Sequence, residues 1–380
     1  MKTSAFELVI LITLLNLITS CEKKELGLAS NSTFSLDKFE QNIKATYPSE
    51  VVGYSYAISY LDKVDRWGAA GQARIAADGL KAYTAETRQE LFSVTKFVTA
   101  IAVCKVLGGL GKTLNEKVVN YLPANWTVHA SYNDLTFEQL LSHKSGFSME
   151  DRGFDSLKKM MTIPQLANTY NYNNANYALC RILLPYMYYG KLNYKFDELQ
   201  GITETSTATD YRTIIRELVL LPAGLQYWNI VDFKDWNHQG LPSYQYTRYY
   251  LKSNLAIPSS ANTDDVLIAG SRGLTLTSYE VAQIQTAFEN KKLLSENWMN
   301  EMKTKKCGFD SWVNGAHGNY YWKNGGWTTN SGTGGETIIM HFPNGVRVSL
   351  NCNSNRSLAA NEQFVGDPAN MAKAYDDAWQ

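Results

Sequence analysis

The sequence predicts an α/β fold of the α+β kind: an antiparallel sheet assembled from both chain ends, flanked by helices and carrying a mostly helical insertion. Three observations lead there. "VVGYSYAISYLD" from Val51 alternates apolar and polar residues, and the late segments "YYWKNGGW", "GETIIMHF" and "VRVSLNCN" are rich in β-branched and aromatic residues. Successive strand side chains point to opposite faces, so period two marks a half-buried strand. Between these ends, at about residues 115–260, apolar residues recur three and four apart, the spacing of a helix face. Strands early and late with helices between argue for one sheet built from the two chain ends.

The elements follow in order. Residues 1–20 are expected to be a signal peptide: Lys2 precedes the apolar run "LVILITLLNLI" from Leu8 to Ile18, too short for an ordinary membrane span. "LITSC" resembles the lipobox of bacterial lipoproteins, in which the cysteine, here Cys21, carries the lipid. Polar residues 21–34 then read as a tether, and residues 35–380 as the folded domain. The mature protein is thus expected outside the cytoplasm, held by Cys21 to a bacterial membrane, in the periplasm or at the cell surface. After the first strand, "RWGAAGQARI" reads as its hairpin partner. "SVTKFVTAIAVCKVLGGLG" changes period: Val94, Phe97, Val98, Ile101, Ala102 and Lys105 outline helical faces, closed by Gly108–Gly109. "TFEQLLSHKSG" and "YRTIIRELVLLPAGL" are helical runs of the insertion. The late strands are split by Gly- and Asn-bearing turns, and "NEQFVGDPANMAKAYDDAW" ends the chain as a helix.

Composition excludes several functions. The 36 basic residues balance the 36 acidic ones, which argues against nucleic acid as a partner. Apart from Cys21, the cysteines are Cys104, Cys180, Cys307 and Cys352, without C-x-x-C. Export permits disulfides, and four cysteines allow three pairings between which the sequence does not choose. Cys104 and Cys180 lie in apolar helical patterns, which favours buried free thiols. Five scattered histidines lack paired-ligand spacing, so a zinc site is not expected. "GGLGKT" at 108–113 imitates a phosphate-binding loop, but Val106 stands where that motif needs glycine, and a helix precedes it in place of a strand.

Chemistry concentrates in three places. Ser93 and Lys96, in "LFSVTKFVTA", stand three apart, within reach of each other on one helix face. A serine becomes a nucleophile only when something takes its proton, and a desolvated lysine of lowered pKa can do so. "YNYNNANYALCRI" supplies Tyr172, Asn173 and Asn174, and "YYWKNGGW" supplies Lys323, Asn324 and Gly325 on a strand. S-x-x-K, Y-x-N and K-x-G in this order resemble the serine β-lactamase and penicillin-binding-protein superfamily. The Y-x-N form resembles its class C β-lactamase and D,D-peptidase/esterase branch. "LLSHKSGF", "ELVLLPAGL" and "AGSRGLTLTSYEVAQI" also resemble segments of that superfamily, so the likeness runs from about Val51 to Asn353.

The resemblance implies a β-lactamase/transpeptidase-like fold and a set of roles. Ser93 would be acylated, with Lys96 and Tyr172 as its acid/base partners. Asn174 would bind the substrate amide and Lys96. Lys323 would face a substrate carboxylate, and Gly325 would let substrate approach the strand. The backbone amides of Ser93 and Gly326 would form the oxyanion hole. No glutamate loop of the class A kind stands out, which leaves deacylation to Tyr172. His143 is expected to make a structural hydrogen bond. The third motif departs from K-T-G and H-x-G in carrying Asn324, and His317-Gly318-Asn319 competes for its register; Lys323 is preferred because the following "TTNSGTGGETIIMHFPNG" aligns better. Together these imply a serine hydrolase that needs no metal or organic cofactor and acts on a small-molecule or peptide substrate, such as one derived from the cell wall: an ester, a D-amino-acid peptide or a β-lactam. The alternative is a non-hydrolytic binding or sensor protein on the same fold.

Overall fold

The computed structural model describes residues 33–47, 51–190, 203–233, 245–260, 265–355 and 367–380. The expected signal peptide and Cys21 lie outside them. Thr33 and Phe34, the last residues of the expected tether, pair with the chain end: Thr33 donates to the Gln380 carbonyl and Phe34 bridges Trp379.

Helix α1 (Leu36–Thr46) precedes the hairpin of β1 (Gly53–Tyr60) and β2 (Lys63–Arg74), then β3 (Lys81–Ala82) and β4 (Thr87–Glu90). Helices α2 (Thr95–Gly109), α3 (Phe137–Leu141), α4 (Phe154–Met160), α5 (Ala175–Tyr189) and α6 (Glu204–Ile215) follow. Short strands β5 (Gln245–Tyr246), β6 (Tyr250–Leu251) and β7 (Thr275–Leu276) lead into α7 (Ser278–Glu289) and α8 (Glu296–Thr304). The chain closes with β8 (Ser311–Gly315), β9 (Gly318–Thr328), β10 (Gly334–His341), β11 (Val346–Cys352), β12 (Ser354–Asn355) and α9 (Pro368–Asp376).

The sheet is built from both chain ends, as expected. Its long strands run β9-β10-β11-β1-β2, all antiparallel, and β1 pairs with β11 from Tyr54↔Cys352 to Tyr60↔Val346. Alternation then sorts the two faces. Tyr54, Tyr56, Ile58, Ile338, Met340, Val348 and Leu350 form one core with Phe39 and Ile43 of α1 and Met371 and Tyr375 of α9. The opposite face carries Ser55, Ala57, Ser59, Ser349 and Asn351, small or polar groups that let α7 lie close. Ser349 Oγ donates to the Ser278 carbonyl at 2.5 Å, and Asn351 Nδ2 to that of Leu276 at 3.3 Å.

Helix α2 is the axis of the second, helical core. Every residue from Thr95 to Cys104 is buried, so it presents no single apolar stripe. Together with the turn before it, the stretch Phe92–Gly109 is apolar and long enough to cross a membrane, yet most of it is buried inside the protein, as a core helix is. The α-helix starts at Thr95, and Ser93 lies two residues earlier, in a 3₁₀ turn over Phe92–Val94. Cys104, Cys180, Cys307 and Cys352 are all buried free thiols, and burial pushes each pKa upward.

Candidate active site

The 3₁₀ turn ahead of α2 positions the serine. Phe92 adopts φ +47°, a left-handed conformation that costs a non-glycine residue on the order of 1–3 kcal/mol. The turn is held because β9 packs directly on it. A Cβ at Gly325 would sit 2.5 Å from the Ser93 amide nitrogen and 2.7 Å from the Leu91 carbonyl, so only glycine fits there. β8 pairs with β9 only as far as Trp322, which leaves the edge from Lys323 onward open beside the serine. Strand alternation sends Lys323 and Gly325 toward the helical core, since Lys323 pairs with Ile339 of that core.

Ser93 Oγ has two close partners. Lys96 Nζ lies at 2.9 Å, and the Tyr172 hydroxyl donates to it at 2.7 Å. Lys96 is fully buried, and its amine also reaches Asn174 Oδ1 at 2.8 Å and the Ser271 carbonyl at 2.7 Å. Desolvation, reinforced by the positive charge of Lys323, holds its pKa well below the usual lysine range. A neutral amine has two N–H groups and one lone pair. Asn174 Oδ1 and the Ser271 carbonyl can only accept, so they take both N–H groups and the lone pair is left facing the Ser93 hydroxyl.

Each partner is fixed from elsewhere in the fold. Gly270, at φ +107°, lies so close to α5 that a Cβ would meet the Tyr177 carbonyl at 2.3 Å, and this contact seats the neighbouring Ser271. Tyr172 stacks on the His143 ring with centroids 4.4 Å apart. His143 Nδ1 accepts from the Asn173 amide at 3.2 Å, and its carbonyl accepts from the Asn171 amide at 2.8 Å. Burial, with the charges of Lys96 and Lys323, lowers the His143 pKa to about 3, so the ring is neutral. His143 thus holds the tyrosine loop on both sides. The side-chain nitrogens of Lys96 and Lys323 lie 5.1 and 5.4 Å from the centre of the Tyr172 ring.

An open cleft of 670 Å³ joins these groups, with Ser93, Tyr172, Asn174, Lys323, Gly325 and Gly326 on its walls. All the candidate residues expected from the sequence, apart from Cys21, are therefore brought to one place. His317 is elsewhere, stacked on Trp379 at 4.1 Å. Sequence reasoning missed two carboxylates. Asp310 binds Lys323 Nζ through both oxygens, at 2.7 and 2.8 Å, and accepts from the Asn324 amide at 3.2 Å. Glu150 accepts from Asn174 Nδ2. It also missed the Ser271 carbonyl, which leaves no side-chain signature. Among the described residues no group of His, Cys, Asp and Glu side chains could hold a metal ion.

A serine flanked by a desolvated lysine and a tyrosine, at the foot of a helix and beside an open strand edge, is the arrangement of an active-site-serine hydrolase. The chain belongs to the Beta-lactamase family, whose profile matches residues 49–362, within the serine β-lactamase/penicillin-binding-protein superfamily. Solved structures share the fold. FmtA from Staphylococcus aureus superposes with a TM-score of 0.64 at 18% identity, over 91% of this chain and 90% of that one. A D-stereospecific amidohydrolase from Streptomyces sp. gives 0.61 at 16%, over 90% and 98%. D-amino acid amidase from Ochrobactrum anthropi SV3, complexed with L-phenylalanine, gives 0.63 at 14%, over 90% and 97%. No curated protein matches the sequence.

Proposed function

We propose that this protein is an exported serine hydrolase that forms an acyl-enzyme on Ser93 from an ester, amide or β-lactam carbonyl, with peptidase or esterase activity favoured over drug resistance. The observation that carries this reading is the double contact at Ser93 Oγ, with Lys96 Nζ at 2.9 Å and the Tyr172 hydroxyl at 2.7 Å. The lone pair of neutral Lys96 takes the Ser93 proton as Oγ attacks the carbonyl carbon. Negative charge on the carbonyl oxygen is met by the backbone amides of Ser93 and Gly326. Tyr172 delivers a proton to the leaving group, and in deacylation the same tyrosine, beside Lys96, accepts one from the attacking water. Asn174 orients both the Lys96 amine and the substrate amide.

The names of the structural neighbours, a D-stereospecific amidohydrolase and a D-amino acid amidase, agree with an acyl-transfer role at this fold. Intact-mass measurement after treatment with a fluorophosphonate should show one adduct, on the peptide containing "LFSVTK", and none in Ser93→Ala. An adduct elsewhere, with Ser93→Ala still active, removes the reading. Export and anchoring through Cys21 rest on "LITSC". Cys21→Ser should move the protein from the membrane fraction to the soluble one, and a variant that stays membrane-bound sinks the anchor.

A further inference from the structure

The role that family resemblance implies for Lys323, pairing with a carboxylate of the substrate, is already taken inside the protein. Both oxygens of Asp310 sit on the Lys323 amine, at 2.7 and 2.8 Å, and Asp310 is fixed further by the Asn324 amide at 3.2 Å. The lysine side chain is 3% exposed and the aspartate 14%, so of these two wall residues the carboxylate is the more open to the cleft. Lys306, another cation on the cleft wall, lies over the Trp312 ring at 4.6 Å. Glu150 is exposed and bound to Asn174, itself on the cleft wall. Lys323 and Asn174, the two residues expected to meet substrate, thus each carry an acidic partner.

Resting on the hydrolase reading above, we propose that Asp310 is a specificity-determining residue that directs Ser93 to acyl donors lacking a carboxylate beside the scissile bond, namely neutral esters and amides. A substrate carboxylate would have two options at Lys323. It could displace Asp310, leaving that carboxylate partly buried without its cation, or it could lie beside it as a like charge. Both cost binding. A neutral ester or amide asks for neither. Burial draws the Lys323 pKa down, but the charge of Asp310 and the nearby tyrosine hydroxyls outweigh it, so the amine keeps its proton and the pair stays ionic.

The test uses two esters with one acyl group, N-acetylglycine, and one scissile bond: the leaving group is D-lactate in the first and D-lactamide in the second. The wild-type protein should hydrolyse the lactamide ester with a kcat/KM at least tenfold above that of the lactate ester. In Asp310→Asn, which keeps the shape and frees the lysine, the ratio should move at least tenfold toward lactate, chiefly through a lower KM. Asp310→Gly, which empties the position, should move it the same way. A wild-type protein that takes the lactate ester equally well, or one that takes neither ester, overturns the inference. So does a ratio that stays put in variants shown to be folded by their melting curves. If neither variant folds, the wild-type preference alone decides. Fluorophosphonate labelling of wild-type Ser93 separates the two readings. Without it the hydrolase reading falls and this one with it; with it, an unmoved ratio removes only the role of Asp310.

Discussion

At the scale of single residues, the site works by keeping one lysine neutral and another charged within a shared hydrogen-bonded region. Lys96 is pushed down first by burial and then by the charge of Lys323, whereas Lys323 is held up by Asp310. Acylation needs the neutral form of Lys96, so its rate should rise with pH through the Lys96 pKa and level off well below the ordinary lysine value. Lys323→Met removes a positive charge and leaves Asp310, whose charge already acts to raise the Lys96 pKa. The ammonium form of Lys96 gains from both changes. The rising limb of Ser93 acylation by a neutral fluorophosphonate should therefore move to higher pH in Lys323→Met. A limb that stays at the wild-type position would mean that some other group is the base.

At the scale of elements, the site exists because a late strand presses on an early turn. β9 lies against the Phe92–Val94 turn so closely that Gly325 has no room for a side chain. Gly325→Ala must push Cβ away from the Ser93 amide and Leu91 carbonyl, both backbone groups that cannot swing aside. Overpacking of this kind costs about 1–3 kcal/mol. The larger effect falls on catalysis, because the Ser93 amide is an oxyanion donor in the proposed mechanism. Losing one such donor slows turnover roughly 100-fold or more. Rate measurements below the unfolding transition should show that loss with a modest fall in melting temperature, and wild-type turnover would exclude the amide from the oxyanion hole.

Legibility also follows this scale. Ser93, Lys96, Tyr172, Asn174 and Lys323 could be read from the sequence because each contributes a distinctive side chain at a fixed local spacing. Asp310 could not, since nothing in "CGFDSW" says that the β8–β9 hairpin folds it back over Lys323, thirteen positions away. Glu150 met Asn174 only through the loop between α3 and α4. The start of α2 was displaced by two residues because periodicity does not distinguish a 3₁₀ turn from the helix it precedes.

At the scale of the whole molecule, the two faces of one sheet have separate tasks. The face toward α2 and α7 carries Lys323 and Gly325 and helps to build the site. The other is covered by α1 and α9, the two chain ends, and holds no residue of the cleft's reactive group. Tyr375 is the centre of that cover. It is fully buried, stacks on Phe342 with centroids 3.9 Å apart, and meets Phe34, Phe39 and Tyr320 at 4.8, 5.8 and 5.1 Å. Tyr375→Ala would leave a cavity among aromatic rings that are themselves tied to both termini, at a cost of about 3–5 kcal/mol. The site lies across the sheet, so molecules that remain folded should keep their chemistry. Urea titration should show the midpoint falling while Ser93 labelling, measured without denaturant at low temperature, proceeds at the wild-type rate. Slower labelling in the fully folded variant would mean that the covered face sets the position of β9 against Ser93, and that stability and catalysis are coupled through the sheet.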